Sequence, residues 1–192
     1  MGDPPRTFDD GVRAYDEGDY DVAFEIFRAN AGTDVAAMRN VALMLRTGQG
    51  ADKDSVRARL WMQRAALAGL PTAQADYGEM LLTGDGGPAD AKAALPWLQL
   101  AADAGHPIAQ FHLGEIYQDG EVVPQDLKRA REYYAEAAAR GVTAAGAKMD
   151  ALSRRRIGPG SLTPPLQGIT PPRPEPDAPD GPDTLGHETA AH

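Results

Sequence analysis

Between positions 33 and 141 the chain repeats itself every 36 residues, three times over, without slippage. Alanine recurs at Ala37, Ala73 and Ala109, glycine at Gly48, Gly84 and Gly120, and acid at Asp54, Asp90 and Asp126. Ala58, Ala94 and Ala130 follow, then Trp61, Trp97 and Tyr133, then Ala65, Ala101 and Ala137, and each copy closes on Gly69, Gly105 or Gly141. A fixed period of this length commits a chain to stacked like units, each burying its apolar face on the next, rather than to a globule closed around one pocket. It favours a binding scaffold over an enzyme.

Each unit reads as two helices. The first runs roughly from Asp34 to Arg46, with equivalents from Pro71 to Leu82 and from Pro107 to Gln118. In the second copy Ala73, Tyr77 and Met80-Leu81 form an apolar stripe at helical spacing. Pro71 and Pro107 fall where a missing N–H is harmless, and Gly48, Gly84 and Gly120 fall where a left-handed cap is needed. The second helix starts at Asp54, Asp90 or Asp126, whose carboxylates are placed to cap free N–H groups. Its Trp61, Trp97, Tyr133 series is expected to fill the space between layers. Pro96 falls inside a second helix and predicts a short kink in its first turns.

Partial units flank the array. Phe8, Val12 and Tyr15 suggest a helix. Asp19 is then expected to cap a second one carrying Ala23, Phe24 and Phe27. After the array, Ala145, Met149 and Leu152 continue the first-helix register into Arg154. From about Gly158 apolar periodicity stops, and more than half of the chain's 16 prolines lie between Pro159 and Pro182. The expected organisation is an N-terminal hairpin over 1–32, three units over 33–69, 70–105 and 106–141 with a capping helix to 157, and a disordered Pro-rich tail over 158–192. The fold class is all-α, a right-handed superhelical solenoid of stacked antiparallel helix pairs.

Composition narrows the function. Hydrophobic content is 42%, much of it alanine, which suits closely packed helices. A net charge of −9 argues against nucleic acid as a partner, since that needs a basic face. With no cysteine there are neither disulfides nor thiolate metal sites. No apolar run of membrane-spanning length and no signal-peptide core is visible, so the expectation is a cytoplasmic protein without stable membrane insertion.

The recurring residues resemble the Sel1-like repeat family, related to the tetratricopeptide repeat. The residues that carry the resemblance are Tyr77-Gly78, Gly84-Asp85-Gly86, Asp90, Ala94 with Trp97 and Ala101-Ala102-Asp103-Ala104-Gly105 in one unit. In the next they are Leu113-Gly114, Gly120, Asp126, Ala130 with Tyr133 and Ala137-Ala138-Ala139-Arg140-Gly141. Ala42 takes the glycine position in the first unit, and Val122 replaces the second loop glycine in the third. The resemblance covers about 33–141 and, more weakly, 8–32. It implies an adaptor or scaffold role, often in bacterial signalling, envelope or stress pathways, and no common catalytic residue.

No constellation for chemistry emerges. His106 falls in a turn between units, His112 is expected to be exposed beside Leu113, and His187 and His192 lie in the tail. None has a second ligand at helical spacing, so neither metal nor cofactor is expected. The glycine-rich strings around Gly48 and Gly84 lack the strand and the Lys-Ser/Thr ending of a phosphate loop and read as turns. Arg154-Arg155-Arg156 suits the negative end of a helix, or a docking spot for an acidic partner or a membrane surface. Pro171-Pro172-Arg173-Pro174 has the composition of a segment that docks in aromatic grooves, or of a passive linker.

The alignment with the tetratricopeptide pattern instead implies a groove lined by the first helices. The ligand positions become Arg39, Leu43 and Arg46 in unit one, Ala75, Glu79 and Leu82 in unit two, and Phe111, Glu115 and Gln118 in unit three. Leu43 and Phe111 would supply apolar contacts, and Arg39, Arg46, Glu79 and Glu115 register-setting charges. The groove should then be basic near unit one and acidic beyond it. The expected partner is a protein segment of the opposite charge pattern. Two other readings are a self-associating or tail-regulated module and, least favoured, a hydrolase.

Overall fold

The computed structural model describes residues 6–154, and the tail expected at 158–192, like Arg155 and Arg156, lies outside the described residues. Among the described residues there are nine helices and no strand: α1 (Phe8–Glu17), α2 (Tyr20–Asn30), α3 (Val35–Thr47), α4 (Ser55–Leu67), α5 (Pro71–Thr83), α6 (Ala91–Asp103), α7 (Pro107–Asp119), α8 (Leu127–Ala139) and α9 (Thr143–Arg154). Each helix packs chiefly on its sequence neighbours, and first helices also meet across units, as α5 does α7. This is the expected solenoid.

Local chemistry sets the helix ends. The Asp54 carboxylate accepts from the backbone N–H of Arg57 at 2.9 Å, Asp90 from Ala93 at 2.9 Å, and Asp126 from Lys128 and Arg129 at 3.1 and 3.0 Å. Gly48, Gly84 and Gly120 close the first helices at φ of 78°, 75° and 74°. Asp19 departs from this scheme. It stands at the start of α2, but its side chain makes no capping bond. The turn from Gly18 is so short that backbone pairing alone opens the helix, with Ala23 N–H donating to the Asp19 carbonyl at 2.9 Å. The well-formed cap of the hairpin is instead Thr7, which exchanges bonds with Asp10 in a capping box. α6 runs unbroken from Ala91 through Pro96. The carbonyl that proline leaves without a donor belongs to Lys92, on the exposed side, where water can satisfy it.

The deepest layer of the core is displaced by one residue from the expected aromatic series. Met62, Leu98 and Tyr134 are fully buried, whereas of the residues before them only Trp97 is, at 2% exposure. Trp61 and Tyr133 are half-buried, Trp61 beneath the Arg64 guanidinium and Tyr133 stacked on Tyr117 at 5.7 Å. The reason lies on the facing helix. A Cβ on Gly78 would stand 2.7 Å from the Leu98 side chain, and one on Gly114 would stand 2.6 Å from the Tyr134 ring. The small residue of the apolar-small pair is thus the socket for the large residue that follows Trp97 or Tyr133. α1 and α2 repeat the device, with Gly11 as the socket for Phe27 at 2.8 Å.

A second close approach ties unit to unit. Gly50 and Gly86 lie at φ of 70° and 76°, and a Cβ on either would fall 2.1 Å from a carbonyl oxygen, that of Tyr20 or of Ser55. The loops after α3 and α5 therefore rest on the backbone that opens the preceding second helix. Only glycine can hold that position. At the third loop Val122 stands in its place and packs its side chain on the core.

Candidate functional site

The face expected to line the groove, the inner face, is made of equivalent positions on α1, α3, α5, α7 and α9. The sockets fix its register. Gly11, Ala42, Gly78 and Gly114 are equivalent, so Phe8, Arg39, Ala75 and Phe111 form one row across the stack. Val12, Leu43, Glu79 and Glu115 form a second, and Tyr15, Arg46, Leu82 and Gln118 a third. The nine positions expected to line the groove share these registers by their sequence spacing, and one of them, Ala75, is buried in the core. The rows also add Phe8, Val12 and Tyr15, which the sequence reading left out because the short α1–α2 turn hides their register.

The charges on this face bind each other. Arg39 Nε donates to Asp76 Oδ2 at 2.6 Å, linking α3 to α5. Arg46 Nε donates to Asp85 Oδ2 at 2.6 Å, and its Nη2 lies 3.7 Å from Glu79. Burial raises the pKa of Asp85, but bonds from Ser55 and Arg46 outweigh it and hold the carboxyl below its usual value. On the far side, Glu115 takes His112 Nδ1 at 3.2 Å and Lys148 Nζ at 3.2 Å. The bond from His112, then that from Lys148, hold Glu115 below the usual carboxylate range against the effect of burial. The expected basic end and acidic end are therefore neutralised within the stack. Acidic partners on the next unit, Asp76 and Asp85, are what the alignment of ligand positions overlooked.

The apolar members differ in access. Ala75 is 1% exposed and supports the floor without reaching the surface. Leu43, Leu82 and Phe111 are half-buried. The Phe111 ring packs on Tyr134 at 5.6 Å and on His112 at 5.8 Å, so one side of it braces the core while part remains accessible. His112, expected to be exposed, is drawn in by Phe111 and Glu115, and its side chain retains 19% exposure. Gln118 accepts the Tyr134 hydroxyl at 3.2 Å. Burial pushes that hydroxyl's pKa far up, helped by Glu115 and Asp119. His106 opens α7, and its Nδ1 is buried without a partner among the described residues. Burial holds its ring below the ordinary histidine value.

An apolar hollow of about 200 Å³ lies at the N-terminal end, lined by Val12, Tyr15, Phe27, Asn40, Leu43 and Met44, with neither serine nor carboxylate. A larger and more polar one, about 670 Å³ between α6, α7 and α8, holds Asp103, Glu132 and Glu136 beside Arg129 and Arg140. Among the described residues no three His, Cys, Asp or Glu side chains converge as metal ligands would. No helix there is long and apolar enough to cross a membrane.

With this geometry in hand, a family model, Sel1 repeat, matches residues 35–70, 71–106 and 107–142, more than half of the chain and in the same three copies. The chain belongs to the Sel1 repeat family. Among solved structures, it is similar to a Sel1 repeat protein from Oxalobacter formigenes, with 32% identity and a TM-score of 0.71 over 76% of this chain and 60% of that one. It is also similar to c5321, a protective antigen present in uropathogenic Escherichia coli strains that displays an SLR fold. There identity is 30% and the TM-score 0.72 over 77% of this chain. The chain spans 60% and 33% of the lengths of those two proteins. No curated protein matches it. Sel1 repeats are typically non-catalytic modules of protein interaction, and this chain has their architecture.

Proposed function

We propose that this Sel1 repeat protein is a non-catalytic adaptor that holds a segment of a partner protein along its inner face. The observation that carries the reading is the contrast between rows. Socket and filler recur in every layer, while the inner-face positions change from Phe8 to Arg39 to Ala75 to Phe111. Packing requires the first pattern and leaves the second free for recognition. Leu43, Leu82 and Phe111 offer half-exposed apolar contacts. Arg39, Arg46, Glu79 and Glu115, already paired, offer fixed polar edges that set the register of a bound backbone.

The test is affinity capture from native cell extract with three baits of matched melting temperature: wild type, Phe111→Ala with Glu79→Lys, and Val56→Ala with Leu60→Ala. A protein lost only from the second bait supports the inner face and names the partner. Loss from the third alone would favour a second reading, contact through the outer face of α4. That reading draws on Val56 and Leu60, 61% and 54% exposed, where α6 carries Lys92 and Pro96 and α8 carries Lys128 and Glu132. Identical catches from all three would sink both.

A further inference from the structure

The N-terminal end of the inner face has a two-part shape. On one side is the apolar hollow of Val12, Tyr15, Phe27, Asn40, Leu43 and Met44. Beside it is a second, of about 390 Å³, lined by Gly18 to Val22 and by Gly48, Gln49 and Gly50. A pair of tyrosines, Tyr15 and Tyr20, stands between them, edge to face at 5.1 Å and exposed at 37% and 36%. The Tyr15 hydroxyl donates to Gln49 Oε1 at 3.1 Å, which fixes the ring as a wall. Around the turn stand Asp16, Glu17, Asp19 and Asp21, and among the described residues no cation is paired with Asp19 or Asp21. Aromatic walls, an apolar slot and an adjacent acidic slot are the features that select an extended proline segment carrying a cation.

The chain contains such a segment. Pro171-Pro172-Arg173-Pro174 holds the only Lys or Arg of residues 158–192, with Glu175 and Asp177 just beyond it, so the cation must seat in the acidic slot while the acids that follow point out of it. In a polyproline helix of three residues per turn, Pro171 and Pro174 share a face and Arg173 points from another. Its tether is long enough. The 17 steps from Arg154 to Pro171 span about 50 Å in that conformation. From α9 back to α1 is four steps between first helices, roughly 40 Å at ordinary helix spacing.

We propose that this end of the inner face is the docking site for the chain's own Pro171–Pro174 segment. The prolines lie over Tyr15 and Leu43, Arg173 reaches Asp19 and Asp21, and the segment competes there with outside ligands. This rests on the inner face being a binding surface, and it adds an internal occupant.

The experiment uses the full chain and a full-length variant with Pro171→Gly, Pro172→Ser, Arg173→Gly and Pro174→Ser. The probe is a fluorescein-labelled synthetic peptide of residues 168–177, read by anisotropy. A tether gives an effective concentration on the order of 1 mM, so for a peptide Kd of about 0.1 mM the variant should bind about tenfold more tightly than the native chain. Tyr15→Ala in the variant should abolish binding. Asp19→Lys with Asp21→Lys, both at exposed positions that do not threaten the fold, should weaken it severalfold and restore it toward a peptide carrying Arg173→Glu. Equal affinity for native chain and variant, or no binding to either, overturns the proposal. Concentration-dependent dimers of the native chain in light scattering, lost in the variant, would move the segment to a second copy and overturn it as stated. Failure here with the inner-face capture intact would leave the adaptor reading standing. Failure of the capture with tenfold competition intact would do the reverse.

Discussion

The interior of the stack and its inner face are built from the same first helices, from residues one position apart, and they obey opposite rules. In the interior a glycine meets a large residue in three layers, Gly11 and Phe27, Gly78 and Leu98, Gly114 and Tyr134, and buried Ala42 and Met62 hold the equivalent positions in the fourth. On the face, the residue after the socket is Val12, then Leu43, then Glu79, then Glu115. Close packing fixes volume and leaves no freedom in the first set. The second set has to satisfy only charge pairing and solubility, so it can diverge without cost to the fold. In this protein, periodicity marks what builds the solenoid and departure from it marks what can recognise something else.

The sharpest way to break this comparison is to truncate a buried large side chain. Tyr134→Ala and Trp97→Ala should each lower stability by about 3–5 kcal/mol, the usual loss for a buried large aromatic, in urea unfolding. Tyr133→Ala, at a half-buried seam, should lose distinctly less. If Tyr133→Ala matched Tyr134→Ala, the displaced core row would be wrong. Next in size is the loop contact. Gly86→Ala places a Cβ against the Ser55 carbonyl at positive φ and should cost about 3 kcal/mol, while Gly69→Ala, at φ 89° in open space, should cost about 1 kcal/mol of backbone strain alone. Smaller again, Gly78→Ala sets a gain in helix propensity of about 1 kcal/mol against overpacking on Leu98 and should destabilise by roughly 1 kcal/mol net. A stabilised Gly78→Ala protein would show that the socket has room.

The face should answer differently. Arg46→Ala removes a half-exposed pair with Asp85 and should cost roughly 0.5–1 kcal/mol, a cost that shrinks in high salt. The smallest effect concerns pH. Glu115 has a depressed pKa, so the stability it contributes is present above its unfolded value of 4.5 and is lost as pH falls through the lower folded value. Wild type and Lys148→Ala should therefore differ by under about 1 kcal/mol at pH 7, with urea midpoints converging in acid below pH 4.5. A constant difference across that range would mean Lys148 acts by packing.

The parts of this structure governed by short-range rules were legible in the sequence. Asp54, Asp90 and Asp126 as caps, the left-handed glycines and the helix bounds follow from chemistry within one turn. Of the expected aromatic series Trp97 is core, while Trp61 and Tyr133 pack half-buried against it; the fully buried row of Met62, Leu98 and Tyr134 went unread because its members share only bulk. The register of Tyr15 was hidden because Phe27 lies four positions nearer its glycine than Leu98 lies to Gly78. For the positions expected to line the groove, the sequence did not show which charges would be paired. Arg39 and Arg46 look free until folding brings Asp76 and Asp85 beside them from the next unit.

The loop glycines have a mechanical meaning. Gly50 and Gly86 seat their loops directly on the carbonyls of Tyr20 and Ser55, and Val122 does without that seat. A side chain at either glycine would have to push two units apart, whereas the third junction already holds one. The distance between neighbouring units is thus set by main chain at two junctions and by a side chain at the third.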